Sequence, residues 1–305
     1  MDNKVSIIIP TYKRSKFLSR AVDSALNQTY PHIEVVVVDD NPPDSIYRFE
    51  ATEVMAKYGD DKRVIYIKNE KNLGGALARN EGIWKSSGNY ITFLDDDDIY
   101  LPDKVRNQIE YMIANDVEMS FADVRIHNST DKLIDYREHS YIGNMCNEEL
   151  LKQHIMHHLT PTATYMYKRK SIMRIGGFDD AKVGQEFLLM LKTIESGIKI
   201  GYIPKAQVIQ YVHSGERISI GEKKIKGEKD IYNNKKKYFH RLSERQRRYV
   251  KFRYHAVMVV VGIRSRKSLT AVNHLFSAFF TSPTDCLNEL KEQIRKLRKY
   301  DKCEI

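Results

Sequence analysis

Four consecutive carboxylates, Asp95, Asp96, Asp97 and Asp98, follow the apolar run NYITFL. Such a run repels itself unless solvent or a cation neutralises it, and residues two apart on an extended segment face the same way. Asp95 and Asp97 together therefore suit a divalent metal carrying a ribose or diphosphate. Hard oxygen ligands favour Mg2+ or Mn2+, which keep waters and take substrate phosphates as further ligands. An acidic turn ahead of the helix after Pro102 accounts for the same residues. A second pair, Asp39 and Asp40, ends IEVVVVDD, although Asp-Asn-Pro-Pro is also a good loop starter. The turn Asn72-Leu73-Gly74-Gly75 opens a helix whose N-terminus can face phosphates, a weak signal when alone.

These groups need a scaffold that gathers them. VSIIIP at 5–10 and IEVVVVDD at 33–40 are short β-branched runs that read as buried parallel strands. Between them Phe17, Leu18, Ala21, Val22, Ala25 and Leu26 recur at helical spacing, with Ser15 available as a cap. RVIYIK, a helix from Gly75 to Ser87 and NYITFLDDDD continue the alternation, which predicts an α/β fold with a doubly wound, mostly parallel sheet. In such a sheet ligands bind outside the carboxyl ends of the strands, where Pro10-Thr11-Tyr12, Asp39-Asp40-Asn41 and Asp95–Asp98 all fall. A helix at 103–115, a strand MSFADVRIH at 119–127, a strand TATYMYKR at 162–169, a helix at 185–196 and the strands KIGYIP and QVIQYVH complete the pattern. Residues 128–160 are polar and aperiodic and read as loops and short helices.

Of the formal charge of +10, residues 216–305 hold 23 Lys/Arg against 10 Asp/Glu, so a near-neutral module carries a basic helical tail. The boundary falls at residue 215: 1–215 is the α/β domain and 216–305 is a basic helical C-terminal extension. Cys146, Cys286 and Cys303 lack disulfide or zinc spacing and fit a reducing cytosol. The start MDNKVSIIIPTY lacks the apolar length of a signal peptide, and no run approaches the roughly 18 apolar residues of a membrane span. A cytoplasmic protein is the expectation.

The strings VSIIIPTYKR, SALNQTY with EVVVVDD, NLGGALARNEG and NYITFLDDDDIYLPDK closely resemble the successive motifs of family 2 glycosyltransferases, and the likeness resumes at IGGFDD, GQEFLLML and VHSGERIS. One block would be weak; five in order are specific. The resemblance implies a GT-A fold, with 1–215 as the catalytic domain, nucleotide-sugar binding over about 1–127 and the acceptor side over about 128–215, and inverting transfer of a sugar from a nucleotide-sugar, in particular a UDP-sugar, to a hydroxyl of a glycan or lipid-linked acceptor in surface polysaccharide synthesis. By position, Pro10, Tyr12 and Asp40 then hold the nucleobase and Arg79 lies near the base or diphosphate. Asp95 lies at the ribose and Asp97 at the metal, with Asp96 and Asp98 as neighbours in the nucleotide site and His213 a metal or diphosphate partner. The family's catalytic acidic pair corresponds to Gln185-Glu186, which leaves Glu186 as the base.

Competing readings are a metal-dependent nucleotidyltransferase and a non-catalytic nucleotide- or nucleic-acid-binding protein. PTYKRSK is not Gly-rich, no G-x-G-x-x-G follows the first strand, and no zinc-finger or RNP motif is present, so nucleic acid is not an expected partner. Leu287, Leu290, Ile294 and Leu297 lie at spacings of three and four among Lys and Arg, as in a basic interfacial helix. An anionic membrane surface is thus a candidate partner, and an amphipathic helix packed on the domain is the alternative.

Overall fold

The structure, a computed structural model, describes residues 3–159, 161–212 and 221–301. The chain begins with alternating strands and helices: β1 Val5–Thr11, α1 Ser15–Leu26, β2 Ile33–Asp39, α2 Ile46–Ala56, β3 Val64–Lys68, α3 Gly75–Lys85 and β4 Tyr90–Phe93. It continues through β5 Ile99–Tyr100, α4 Lys104–Ala114, β6 Met119–Ala122, β7 Val124–Asn128, β8 Leu133–Arg137 and α5 Asn147–His157. Then come β9 Met166–Lys168, α6 Arg169–Arg174, α7 Gln185–Glu195, β10 Ile200–Ile203 and β11 Val208–Val212. Four helices follow, α8 Glu222–Lys236, α9 Glu244–Arg264, α10 Ser268–Thr281 and α11 Pro283–Asp301.

Seven strands form one sheet in the order β10-β6-β9-β4-β1-β2-β3. All neighbours run parallel except β9, which is antiparallel to both β4 and β6. The continuous β-branched runs become strands buried on both faces: every residue of β2 is buried, and so is every residue of β1 but Pro10. Leu18, Ala21, Val22 and Ala25 of α1 cover one face. On the other, α3 lies so close that a Cβ on Gly82 would come within 2.4 Å of Ile8, so only glycine fits there. That contact seats the helix carrying Arg79 directly on β1. Ser15 does not cap α1; its hydroxyl donates to Glu50 instead, at 2.6 Å.

A second sheet, β5-β11-β7-β8, was not legible in the sequence. MSFADVRIH, read as one strand, divides at Asp123 into β6 and β7, which belong to different sheets. Asp123 is buried and accepts from the Tyr202 hydroxyl (2.7 Å) and the His139 amide (3.3 Å), so a polar residue pins the chain where it changes sheet. TATYMYKR likewise shrinks to the three-residue β9 preceded by a tight turn at 162–164. Part of the stretch read as loops and short helices is regular: β8, and α5, which spans 11 residues and packs against α7.

The residues beyond 215 are helical, as composition suggested, but the boundary does not separate two cores. Ile231, Leu242 and Val250 bury in the same cluster as Ile8, Phe93 and Phe187. The chain from 222 to about 250 thus belongs to the catalytic core, and burial of these side chains contributes roughly 1.5–3 kcal/mol each. Cys146 and Cys286 are free thiols, and Cys303 lies outside the described residues.

Candidate active site

The acidic run sits at a seam between the sheets. The chain leaves the first sheet at Phe93 and joins the second at Ile99, and a tight turn, closed by the Asp98 amide on the Asp95 carbonyl (3.1 Å), bridges them. The segment is therefore a turn and not extended, so the strand rule that would align Asp95 with Asp97 does not apply. Each carboxylate has its own partner: Asp95 pairs with Arg79 (2.5 Å), Asp96 accepts from Thr11 (2.8 Å), Asp97 pairs with Arg14 (2.6 Å), and Asp98 accepts from the Tyr211 amide (2.9 Å). Sequence reasoning missed Thr11 and Arg14, although both lie in the PTYKR string.

The charges do not balance. Burial, then repulsion from Asp97, pushes the Asp96 carboxyl up to about 7. Burial, then Asp95 and Asp97, raises Asp98 well above the usual range, and one of its oxygens has no hydrogen-bond partner among the described residues. Asp97 is raised as well, chiefly by burial. Burial opposes the Arg14 charge, yet attraction from Asp97 and the other carboxylates outweighs it and strengthens its hold on the proton. Four carboxylates thus face three guanidiniums, those of Arg14, Arg79 and Arg20, the last donating to the Asp97 carbonyl at 2.8 Å, and the turn attracts further positive charge.

Among the described residues no three Asp, Glu, His or Cys side chains converge as a metal cage, and His213 lies outside those residues. An anionic all-oxygen donor set short of ligands fits Mg2+ or Mn2+, which draw most of their ligands from phosphate and water.

Arg79 links this turn to the opposite wall. One of its guanidinium nitrogens donates to Asp95, and the other donates to the Gly75 carbonyl and to the Gln185 side chain, both at 3.1 Å. Gln185 and the half-buried Glu186 open α7 behind Gly184, whose φ of 76° lies in the left-handed region glycine tolerates. Glu186 makes no hydrogen bond or ion pair with the described residues, which leaves its carboxylate available. Pro10 and the half-buried Tyr12 lie at the end of β1, where the Lys13 ammonium sits 5.2 Å from the Tyr12 ring and 5.3 Å from that of Tyr47.

Asp40 is 2% exposed and saturated. One oxygen accepts from the Asn69 side chain and the Leu73 amide (both 2.8 Å), the other from the Asn72 side chain (3.0 Å) and the Gly74 amide (2.8 Å). It holds the turn that starts α3. Asp39 serves structure too, taken by Arg48 (3.1 Å) and the Tyr66 hydroxyl (2.5 Å). Asp40→Ala would leave four donors without an acceptor, so a loss of about 3 kcal/mol of stability is expected together with at least about tenfold weaker nucleotide binding. Urea unfolding and titration calorimetry check this, and unchanged values in both would refute the anchoring role.

A sequence model described as Glycosyl transferase family 2 matches residues 6–178. The chain belongs to glycosyltransferase family 2. An uncharacterized glycosyltransferase of Rickettsia bellii is 38% identical over 145 residues, which cover 47% of this chain and only 20% of that protein. The E. coli UDP-Glc:alpha-D-GlcNAc-diphosphoundecaprenol beta-1,3-glucosyltransferase is 36% identical over 128 residues, 42% of this chain and 48% of the relative. The match thus spans well under two thirds of these relatives. The crystal structure of Staphylococcus aureus TarS 1–349 in complex with UDP-GlcNAc superposes with a TM-score of 0.59 at 18% identity, covering 97% of this chain and 80% of TarS. The family 2 chain therefore has the GT-A fold.

Proposed function

We propose that this family 2 chain transfers a sugar, with inversion, from a UDP-sugar to a hydroxyl of a glycan or lipid-linked acceptor in bacterial surface polysaccharide synthesis. The observation that carries the reading is the Arg79 bridge, which ties Asp95 of the acidic turn to Gln185, the residue before Glu186 at the start of α7. Glu186 takes the proton of the attacking hydroxyl, and the acceptor oxygen displaces the nucleoside diphosphate from the opposite face of the sugar. Tyr12 and Pro10 line the nucleobase pocket, Asp40 fixes its wall, and Asp95 receives the ribose, with Asp96 its neighbour. Asp97, with His213, would hold Mn2+ or Mg2+, which supplies charge neutralisation for the departing diphosphate. The relatives support this: one is named for a UDP-glucose donor and a lipid-linked acceptor, and TarS was crystallised with UDP-GlcNAc. A screen of UDP-sugars for released UDP, with and without Mn2+, tests it. If UDP neither binds nor is released from any of them, the reading is wrong.

The enzyme is further proposed to work at the inner face of the cell membrane as a peripheral protein. Among the described residues no helix is long and apolar enough to cross a membrane. Yet α10 has no charged residue and exposes Leu269, Leu275, Phe276 and Phe280 at 56–78%. On α11, Leu287, Leu290 and Ile294 are 43–58% exposed; the side chain of Leu297 lies outside the described residues. Arg264, Arg266 and Lys267 precede α10, and each basic group near an anionic leaflet contributes about 1 kcal/mol. Sedimentation with anionic vesicles, lost in high salt and in a Phe276→Ser/Phe280→Ser variant, is expected. Equal sedimentation of the variant would exclude this face.

A further inference from the structure

A cavity of about 720 Å³ lies outside the site just described, between the β8–α5 connection and helices α5, α8, α9 and α11. Lys235 of α8, 8% exposed, lines it together with Arg137, Arg253 and Arg295, and its ammonium makes no hydrogen bond or ion pair with any described residue. Its ammonium faces the Phe187 ring at 5.7 Å. The wall carboxylates have other partners: Glu289 pairs with Arg253 (2.7 Å), Glu292 with Arg295 (2.9 Å), Asp135 with Arg137 (3.6 Å) and Glu228 with Lys224 (2.6 Å), and the exposed Glu138 accepts from the Ser140 hydroxyl (3.4 Å). Beside Lys235, burial pushes His157 down to about 4 and His158 well below its ordinary value, so the two imidazoles add no positive charge at neutral pH. Burial, then the neighbouring Arg253, pulls the Lys235 ammonium down to about 7, against a smaller opposing pull from Glu228. One wall is aromatic: Tyr232 and Tyr254 stack at 4.1 Å, a face of the kind sugars pack against.

The cavity backs onto the first turn of α7. Ile231, one helical turn before Lys235, fills the space over Gly184, where an added Cβ would come within 2.7 Å of it. The His158 ring meets Phe187 at 4.9 Å, and Phe187 follows Glu186 in the chain. The unpartnered cation therefore sits behind the helix start that presents the proposed base, away from the acidic turn and its nucleotide side.

We propose that this cavity is an anionic subsite on the acceptor side, in which Lys235 binds a phosphate group carried by the acceptor glycan and the tyrosine wall receives an adjoining sugar. The assignment rests on the transferase reading for the word acceptor, and on the cavity alone for the anion. An acceptor phosphate anchored here would hold its glycan next to α7 independently of the donor.

The full chain, saturated with UDP to block the donor side, is titrated calorimetrically with inorganic phosphate and with glucose 1-phosphate. Glucose 1-phosphate is expected to bind about tenfold tighter than phosphate. Lys235→Met is expected to weaken glucose 1-phosphate at least about tenfold, the loss of one charge-assisted contact, with UDP affinity unchanged. Lys235→Arg should retain binding. In the wild type, glucose 1-phosphate should also protect Lys235 from reductive methylation, a readout that stands if Lys235→Met does not fold. Unchanged affinity in a folded Lys235→Met, no protection, or no wild-type binding at millimolar ligand overturns the subsite. Equal affinity for phosphate and glucose 1-phosphate overturns its assignment to an acceptor. Loss of binding in Lys235→Met with UDP affinity intact upholds the anion site even if no sugar transfer is ever found.

Discussion

Asp97→Ala is expected to abolish sugar transfer while leaving the protein folded and at least as stable as the wild type. Both halves follow from the crowding at the acidic turn. Asp97 contributes to the repulsion that raises Asp96 and Asp98, so removing it relieves two buried neighbours. Arg14 loses its 2.6 Å partner but keeps Asp96 at 3.5 Å and is partly exposed, so it is not left as a bare buried charge. Against that relief stands the loss of the group proposed to hold the divalent ion, which no neighbour replaces. Near wild-type turnover at saturating Mn2+ would move the metal assignment elsewhere in the turn, and a collapse in melting temperature would make Asp97 a structural residue.

Glu186→Gln is expected to lower turnover by about 10²- to 10⁴-fold with donor affinity preserved, the range for loss of a general base. The substitution keeps size and hydrogen-bonding shape at the first turn of α7, so Gln185 still receives Arg79 and the donor side is undisturbed. It also removes a favourable charge at a helix N-terminus, a change of under about 1 kcal/mol in stability, far too small to account for such a rate loss. Steady-state rates with a UDP binding titration separate the two effects. Equal activity would pass the role to Asp179 or Asp180, although Asp179 is engaged by Lys192 at 2.5 Å.

The parts that were legible in the sequence are those where local pattern and final position coincide. The runs VSIIIP and IEVVVVDD have one physical outcome, a strand buried on both faces, and the turn residues at their ends place Tyr12, Asp40 and Asp95 at one edge without further information. The second sheet was hidden because its strands are short and because MSFADVRIH looks continuous. Only the tertiary partners of Asp123 reveal that the chain turns there. The same holds for Arg14 and for Lys104. Lys104 lies in a run that reads as an ordinary helix start, but it is buried, donates to Thr92 and sits 4.1 Å from the Tyr100 ring. Burial pushes its amine well below the usual lysine range, which no spacing rule anticipates. The division at 215 failed for a related reason: charge composition changes there, whereas the apolar contacts of Ile231, Leu242 and Val250 do not respect it.

The position of β9 sets the order in which the molecule can be assembled during synthesis. Strands β3, β2, β1 and β4 are contiguous in the sheet and complete by residue 93, so this half can pair while later residues are still being added. Strand β6 cannot join it directly, because β9, made from residues 166–168, is the strand that lies between β4 and β6. Closure also awaits Tyr211, whose amide reaches back over 113 residues to Asp98. Non-local pairings of that length are slow to form, so the nascent chain carries its acidic turn without that late partner until most of the fold has emerged.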